Sequence, residues 1–325
     1  MMTIASQTIS GDSVPTITVI CWTYNHQQFI RRAIDSILAQ EVDVPVEVII
    51  HDDASTDGTS QLIREYHARF PAVVRPVLQE SNQLQQGVNF VPSLFSHARG
   101  KYIAICDGDD YWTCSDKLMK QLECMESSPS ASGCFHSADD LIDVEEKMTL
   151  KHWKPAIVEK EYTLSHLFQY GNFAATSSLM LRSDVVCGLK GTMEETPHVD
   201  FVFLLAALRH GPLIFLDESM SVYRRHSGGL HSTTYGAIST FRALKSLVFG
   251  SHFLGLESHP SYLEAFRWRS SELEGYVKRD RARIDSLEAE LLQVRTNYER
   301  ARRSIFFRVG MLIDRTLRCL KLRGW

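Results

Sequence analysis

Residues 100–110 read Gly-Lys-Tyr-Ile-Ala-Ile-Cys-Asp-Gly-Asp-Asp. The apolar run from Tyr102 to Cys106 has the length and composition of a strand buried on both faces. It stops on three carboxylates within four residues, Asp107, Asp109 and Asp110. Upstream, Val46 to Ile50 repeats the pattern and runs into His51-Asp52-Asp53-Ala-Ser-Thr-Asp57-Gly58. Working outward, Ile17 to Cys21 and Val73 to Leu78 read as further strands. Helical stripes lie between them at Phe29 to Leu38, Leu62 to Phe70, Val88 to Ala98 and Asp116 to Ser127. This βαβα succession predicts an α/β fold, a mainly parallel sheet flanked by helices, whose ligands bind beyond the carboxyl ends of the strands.

The two acidic strand ends are the main functional clue, and each has a plain alternative. The Asp, Ser and Thr of the first also suit the amino-terminal cap of a helix over 56–70. The second could be an acidic structural turn, but three crowded carboxylates repel one another, and a divalent cation relieves that repulsion. Oxygen ligands favour Mn2+ or Mg2+ over zinc.

The 325 residues, 44% hydrophobic and 23% charged, fit one large or two modest globular domains and exclude fibrous and low-complexity classes. Apolar stretches are of strand length, so no membrane-spanning helix is expected, and the polar amino end does not read as a secretion signal. Seven scattered cysteines without a Cys-x-x-Cys spacing predict neither a disulfide framework nor a zinc cluster, and a reducing cytoplasm as the compartment. No Gly-x-Gly-x-x-Gly follows the first strand and no Gly-x-x-x-x-Gly-Lys-Ser/Thr occurs. Dinucleotide redox chemistry and P-loop phosphoryl transfer therefore lack their usual phosphate cradles.

Four segments in order, Thr16 to Asn25, Val48 to Gly58, Gly100 to Asp110 and Tyr223-Arg-Arg-His226, together resemble family 2 glycosyltransferases of the GT-A fold. The resemblance spans residues 16 to about 228. It implies an inverting, metal-dependent enzyme that moves a sugar from a nucleotide-diphosphate donor to an acceptor hydroxyl. By the same resemblance Asp53 reads the nucleotide base and Thr23 and Asn25 flank it. Asp107 faces ribose and metal, Asp109 ligates the metal, and His226 completes its shell from the other side. Asp200, at the head of an apolar helix over 201–208, falls where the family places its catalytic base, although Thr196-Pro-His-Val199 stands where Glu is usual. Glu194 and Glu195 are the fallbacks. Trp153 and Tyr170 lie on the acceptor side, where aromatics either stack on sugar or pack in the core. Ser177 and Ser178 are expected to begin a strand.

The expected organisation is a flexible amino end (1–14), the GT-A domain (15–235), a helical segment (236–270), a coiled coil (271–299) and a basic amphipathic tail (300–325). Leu273, Val277, Ile284, Leu287, Leu291, Val294 and Tyr298 are spaced like heptads, which predicts pairing with a second copy through 273–298 or a helix folded back on the domain. Residues 300–325 hold eight basic residues against Asp314 alone, a pattern suited to a helix lying on an anionic membrane surface. Docking of that helix on protein is the alternative, and the acidic remainder of the chain argues against nucleic acid as a partner. These features predict a cytoplasmic enzyme, peripheral on the cytoplasmic membrane face, acting on a glycan or lipid-linked acceptor in surface polysaccharide biosynthesis. Two rivals remain at this level: a nucleotidyltransferase, and a non-catalytic nucleotide-sugar-binding scaffold.

Overall fold

The computed structural model describes residues 2–7, 14–88, 90–144, 147–153, 158–187, 199–226, 237–256 and 258–279. Glu194, Glu195, most of the heptad-like series and the basic tail lie outside these residues.

A short strand, β1 (Met2–Thr3), pairs antiparallel with β3 (Glu41–Val42) beside the main sheet. In β2 (Ile17–Thr23) the period of two sorts side chains to opposite faces. Ile17, Val19 and Cys21 meet Ile30, Ala33, Ile34 and Ile37 of helix α1 (Ile30–Leu38), whereas Ile20 joins the core on the other side. The pattern recurs in β4 (Val46–Asp52), where Val46, Val48 and Ile50 fall with the first face and Ile49 with the second. Helix α2 (Thr59–Arg69), strand β5 (Val74–Leu78), helix α3 (Val91–His97) and strand β6 (Tyr102–Ile105) complete this half. Strands β6, β2, β4 and β5 are mutually parallel, as the alternation of elements predicts.

The other half is mixed. After β7 (Tyr111–Trp112), helix α4 (Lys117–Ser127), β8 (Gly133–Val144), β9 (Lys147–Trp153), β10 (Glu161–Tyr162) and helix α5 (Leu164–Tyr170), strand β11 (Met180–Arg182) enters antiparallel to both β6 and β8. Helices α6 (Ser183–Val186) and α7 (Val199–Leu208) then lead to β12 (Leu213–Arg225), which runs parallel to β8. The sheet order is β10-β12-β8-β11-β6-β2-β4-β5.

One local expectation is corrected. Ser177 and Ser178 do not begin a strand; Thr176–Ser178 is a 3-10 turn, and the strand starts at Met180. The Ser178 hydroxyl bonds back to the Ala175 carbonyl at 2.6 Å, the local competition by which serine diverts backbone from a ladder. Strand β12 runs from Leu213 to Arg225 through register shifts between Leu216 and Ser221. These irregularities absorb Asp217 and Glu218 and carry Tyr223-Arg-Arg on a strand rather than a loop.

Helices α8 (Ala237–Leu254) and α9 (Pro260–Arg279) place Leu244, Leu247, Tyr262, Phe266 and Leu273 in the same apolar cluster as Ile20, Ile103, Phe95 and Phe203. Each such side chain contributes about 1.5–3 kcal/mol when fully buried. Leu273, the first of the heptad-like positions, is thus spent on this core. No helix among the described residues is long and apolar enough to cross a membrane.

Candidate active site

Register brings three strand ends to one edge. Thr23 pairs with Asp52, and the Gly108 amide donates to the Trp22 carbonyl at 3.0 Å, which levels the β6 loop with the end of β2. A side chain at Gly108 would place its Cβ 2.7 Å from the Thr23 side chain, so glycine is what lets the acidic loop lie this close. Asn25 takes a left-handed conformation (φ 54°), which asparagine tolerates better than most residues. Its side-chain oxygen accepts the Thr56 amide at 2.8 Å, and its own amide donates to Ser55 Oγ at 2.8 Å. Asn25 therefore ties the β2 and β4 loops together, and Thr23 is buried beneath the β6 loop.

At the end of β4 the carboxylates are consumed internally. Asp52 accepts the Ser55 amide and hydroxyl and the Ser60 hydroxyl. Asp53 accepts the backbone amides of Gln83 and Leu84 at 2.8 and 3.0 Å, so it anchors the loop that follows β5. Capping falls to Asp57, which accepts the Thr59 amide at 2.9 Å, and α2 starts at Thr59 rather than 56.

At the end of β6 the opposite holds. Burial first, then the charges of Asp109 and Asp200, push the Asp107 carboxyl well above the usual range. Burial, Asp109 and Asp107 do the same to Asp110, whose Oδ1 accepts the Arg224 amide at 2.9 Å while Oδ2 is buried without a partner. For Asp109 burial also opposes ionisation, but the hydrogen bond to His226 and the neighbouring His26 outweigh it and hold the carboxyl low. His226 Nε2 stands 3.1 Å and His26 Nε2 3.9 Å from Asp109 Oδ2. One ligand atom from each of His26, Asp109 and His226 lies within 4.8 Å of the others. Burial lowers the His26 pKa, which favours the neutral imidazole a metal requires. Arg224 encloses the cluster, donating from Nε to the Asp109 carbonyl at 3.0 Å, with its guanidinium 4.7 Å over the Phe29 ring.

This donor set fits a divalent cation, since it offers two imidazoles and a carboxylate beside two acids whose crowding a cation would relieve. Of the residues predicted from the sequence, the structure brings Asp109 and His226 together, and Asp107 lies beside them in the acidic group, outside the His26, Asp109 and His226 cluster. Asp200 is close enough to Asp107 to raise its pKa. Asn172 Nδ2 donates to Asp200 Oδ2 at 2.6 Å. Tyr170 is 37% exposed and stacks on His166 at 6.4 Å between centroids. The sequence reading missed His26 and Asn172. His26 sits three residues beyond the end of β2, and the rule that ligands gather at strand ends could have found it; no sequence signal marks Asn172.

The mixed sheet flanked by helices, with carboxylates and imidazoles at its strand ends, is consistent with the GT-A fold. The profile of glycosyl transferase family 2 matches residues 18–187, and the chain belongs to that family and is a glycosyltransferase. An uncharacterized protein of Mycobacterium tuberculosis is 32% identical over 250 residues, covering 72% of this chain and 69% of that one. An uncharacterized glycosyltransferase of Nostoc sp. is 29% identical over 290 residues, covering 87% and 82%. TuaG of Bacillus subtilis, named for teichuronic acid biosynthesis, is 35% identical over 111 residues, 34% of this chain and 42% of that one. Among solved structures, Staphylococcus aureus TarS 1–349 in complex with UDP-GlcNAc shares the fold, with a TM-score of 0.55 at 18% identity over 84% of this chain and 83% of that one.

Proposed function

We propose that the chain is a metal-dependent, inverting transferase that moves a sugar from a nucleotide-diphosphate donor to a hydroxyl of a glycan or lipid-linked acceptor. The observation that carries this reading is the convergence of His26, Asp109 and His226 beside Asp107, with Asp200 close to the same acids. A cation held by His26, Asp109 and His226 would supply charge compensation for the departing diphosphate. Asp107 would face the ribose beside that cluster, and the strand-end loops tied by Asn25 and Asp53 would form the base pocket. Asp200 is the general base: it takes the acceptor hydroxyl proton as the oxygen bonds to the anomeric carbon, and the bond to diphosphate breaks with its electron pair leaving on the diphosphate. Asn172 donates to Asp200 Oδ2, which leaves Oδ1 to take the proton.

The names of relatives such as TuaG support surface polysaccharide assembly as the setting. An enzyme at the cytoplasmic membrane face, attached through basic residues 300–325 and paired through the positions of 273–298 that follow Leu273, accords with the sequence pattern. Co-sedimentation with anionic vesicles, with and without residues 300–325, tests the attachment.

The deciding experiment on function uses the purified full chain with Mn2+ or Mg2+ and a panel of UDP-, GDP-, dTDP- and CMP-sugars, read by thermal shift and donor hydrolysis. At least one donor should stabilise the protein and be hydrolysed only with metal. Undiminished hydrolysis in excess chelator would remove the metal from the mechanism, and silence across the whole panel would remove the transferase reading.

A further inference from the structure

Lys117 is the first residue of α4 and is fully buried. Among the described residues no carboxylate pairs with it, and it lies at the helix end where the backbone dipole disfavours a cation. Burial pushes its ammonium pKa down to about 7. A methionine would fill much of the same space without the cost of an uncompensated buried charge. The side chains that the ammonium touches show what the charge achieves.

Lys117 Nζ donates to Gln121 Oε1 at 2.6 Å and lies 3.9 Å over the Trp112 ring. Both partners spend their own donors on one short segment. Gln121 Nε2 donates to the Ser178 carbonyl at 2.9 Å, and Trp112 Nε1 donates to the Ser177 carbonyl at 2.9 Å. With its oxygen taken by Lys117 Nζ, the Gln121 amide presents its NH2 to the turn, so Lys117 selects the orientation that binds Ser178. The Ser177 hydroxyl in turn donates to Ser221 Oγ at 3.3 Å, and Ser177 stands beside the Asp110 carboxylate. Asp110 adjoins Asp109 of the ligand triad. Four residues before the turn, Asn172 holds Asp200.

We propose that Lys117 is a positioning residue for the transfer reaction, acting through Gln121 and Trp112 to hold the Thr176–Ser178 turn, and with it the Asn172–Asp200 pair, in register with the acidic end of β6. This rests on the transferase reading above. Lys117 touches neither donor nor acceptor, and its effect is on the distance between the base and the donor.

Three full-length variants test it: Lys117→Met, Gln121→Glu and the double variant. Gln121→Glu keeps an acceptor for the ammonium but turns an oxygen toward the Ser178 carbonyl. Readouts are the thermal midpoint, the affinity for UDP and GDP with Mn2+, and the kcat for hydrolysis of whichever donor the screen returns. Hydrogen exchange at the amides of Ser178 and Leu179 needs no donor at all. In Lys117→Met, nucleotide affinity should stay within about twofold and the midpoint should hold or rise. In the same variant kcat should fall roughly tenfold or more, because misplacing a reacting group is costly even when binding survives. Exchange at the turn should quicken in both single variants while β2 and β6 keep their protection. The double variant should be no worse than Gln121→Glu, as expected if Lys117 acts through Gln121.

A wild-type kcat in Lys117→Met, or unchanged exchange at the turn, overturns the proposal. So does a fall in midpoint, nucleotide affinity and kcat together in both single variants, which would make the cluster merely structural. Should no donor be found, the transferase reading fails by its own test, and the exchange data still decide whether the cation holds the turn.

Discussion

The loops after β4 and β6 carry nearly the same residue types at the same edge of the same sheet, yet they use their acids in opposite ways. Asp52 and Asp53 are surrounded by donors from Ser55, Ser60, Gln83 and Leu84, and their charge is spent on loop architecture. Asp107, Asp109 and Asp110 crowd one another, and burial with mutual charge raises Asp107 and Asp110 despite donors from Trp22, Ser177 and Arg224, while two imidazoles stand beside Asp109. A carboxylate that accepts several hydrogen bonds is content as an anion, whereas crowded buried acids are costly until a cation joins them. The difference teaches that an acidic cluster points to a cation when mutual repulsion and burial outweigh the hydrogen bonds it accepts.

The largest expected contrast follows directly. Asp109→Asn should lower metal-stimulated donor hydrolysis by about 10³-fold, as removal of several kcal/mol of charge stabilisation implies. Asp52→Asn should leave the metal response intact. Equal loss of metal response in the two variants would erase the distinction between the loops.

Next in size is the base. Asp200→Asn should reduce turnover about 10²- to 10⁴-fold with nucleotide affinity nearly unchanged. Weakened nucleotide binding would instead assign Asp200 to the donor end of the cleft. The ligand set sharpens the comparison further: two imidazoles suit Mn2+ better than Mg2+, which prefers an all-oxygen octahedron. Mn2+ should therefore support hydrolysis at lower concentration than Mg2+ in the wild type, and His26→Ala should narrow the gap. Indifference to the metal in both proteins would exclude His26 from the ligand shell.

Much of this architecture was legible because it rests on period and position. The parallel half of the sheet follows from apolar runs alternating with helical stripes, and the strand-end rule points to Asp107 and Asp109. What escaped depends on through-space pairing. The antiparallel entry of β11 has a signal only three residues long, too short to state a direction. Asn172 is recognisable only by its contact with Asp200, and the consumption of Asp53 only by the amides of Gln83 and Leu84, thirty residues away. The Lys117 network is similar, since a helix position facing a tryptophan across a turn has no periodic signature.

On stability, the β4 loop should respond where the β6 loop does not. Asp52→Asn replaces a charged acceptor of three hydrogen bonds and should cost about 1.5–3 kcal/mol in urea unfolding, the range for hydrogen bonds to charged groups. No loss of stability would mean that the serines re-pair with backbone or water.

The smallest effect at neutral pH, and one that appears only on acidification, is a pH dependence at His51 in β4. His51 is buried, stacks on Phe90 with centroids 4.0 Å apart, and lies 3.2 Å from Gln79 Nε2. Because the Gln79 amide donates there, His51 Nε2 accepts, and the ring is neutral. Burial lowers its pKa from 6.5 to about 4, against the opposing pull of Asp53 and Asp52. Between those two values the unfolded chain binds a proton that the folded protein refuses, so stability falls as pH drops from 6.5 toward 4 and is fully present above 6.5. At 1.36 kcal/mol per unit the ceiling is about 3 kcal/mol, and none of it is felt at neutral pH. Carboxylates titrate in the same range, so the measurement is the difference between wild type and His51→Asn in unfolding free energy at pH 7.5, 6, 5 and 4.5. That difference should shift in favour of the variant as pH falls, because the variant has no imidazole to protonate on unfolding. A difference that stays constant across the series would show that the proton linkage lies with the acids and not with His51.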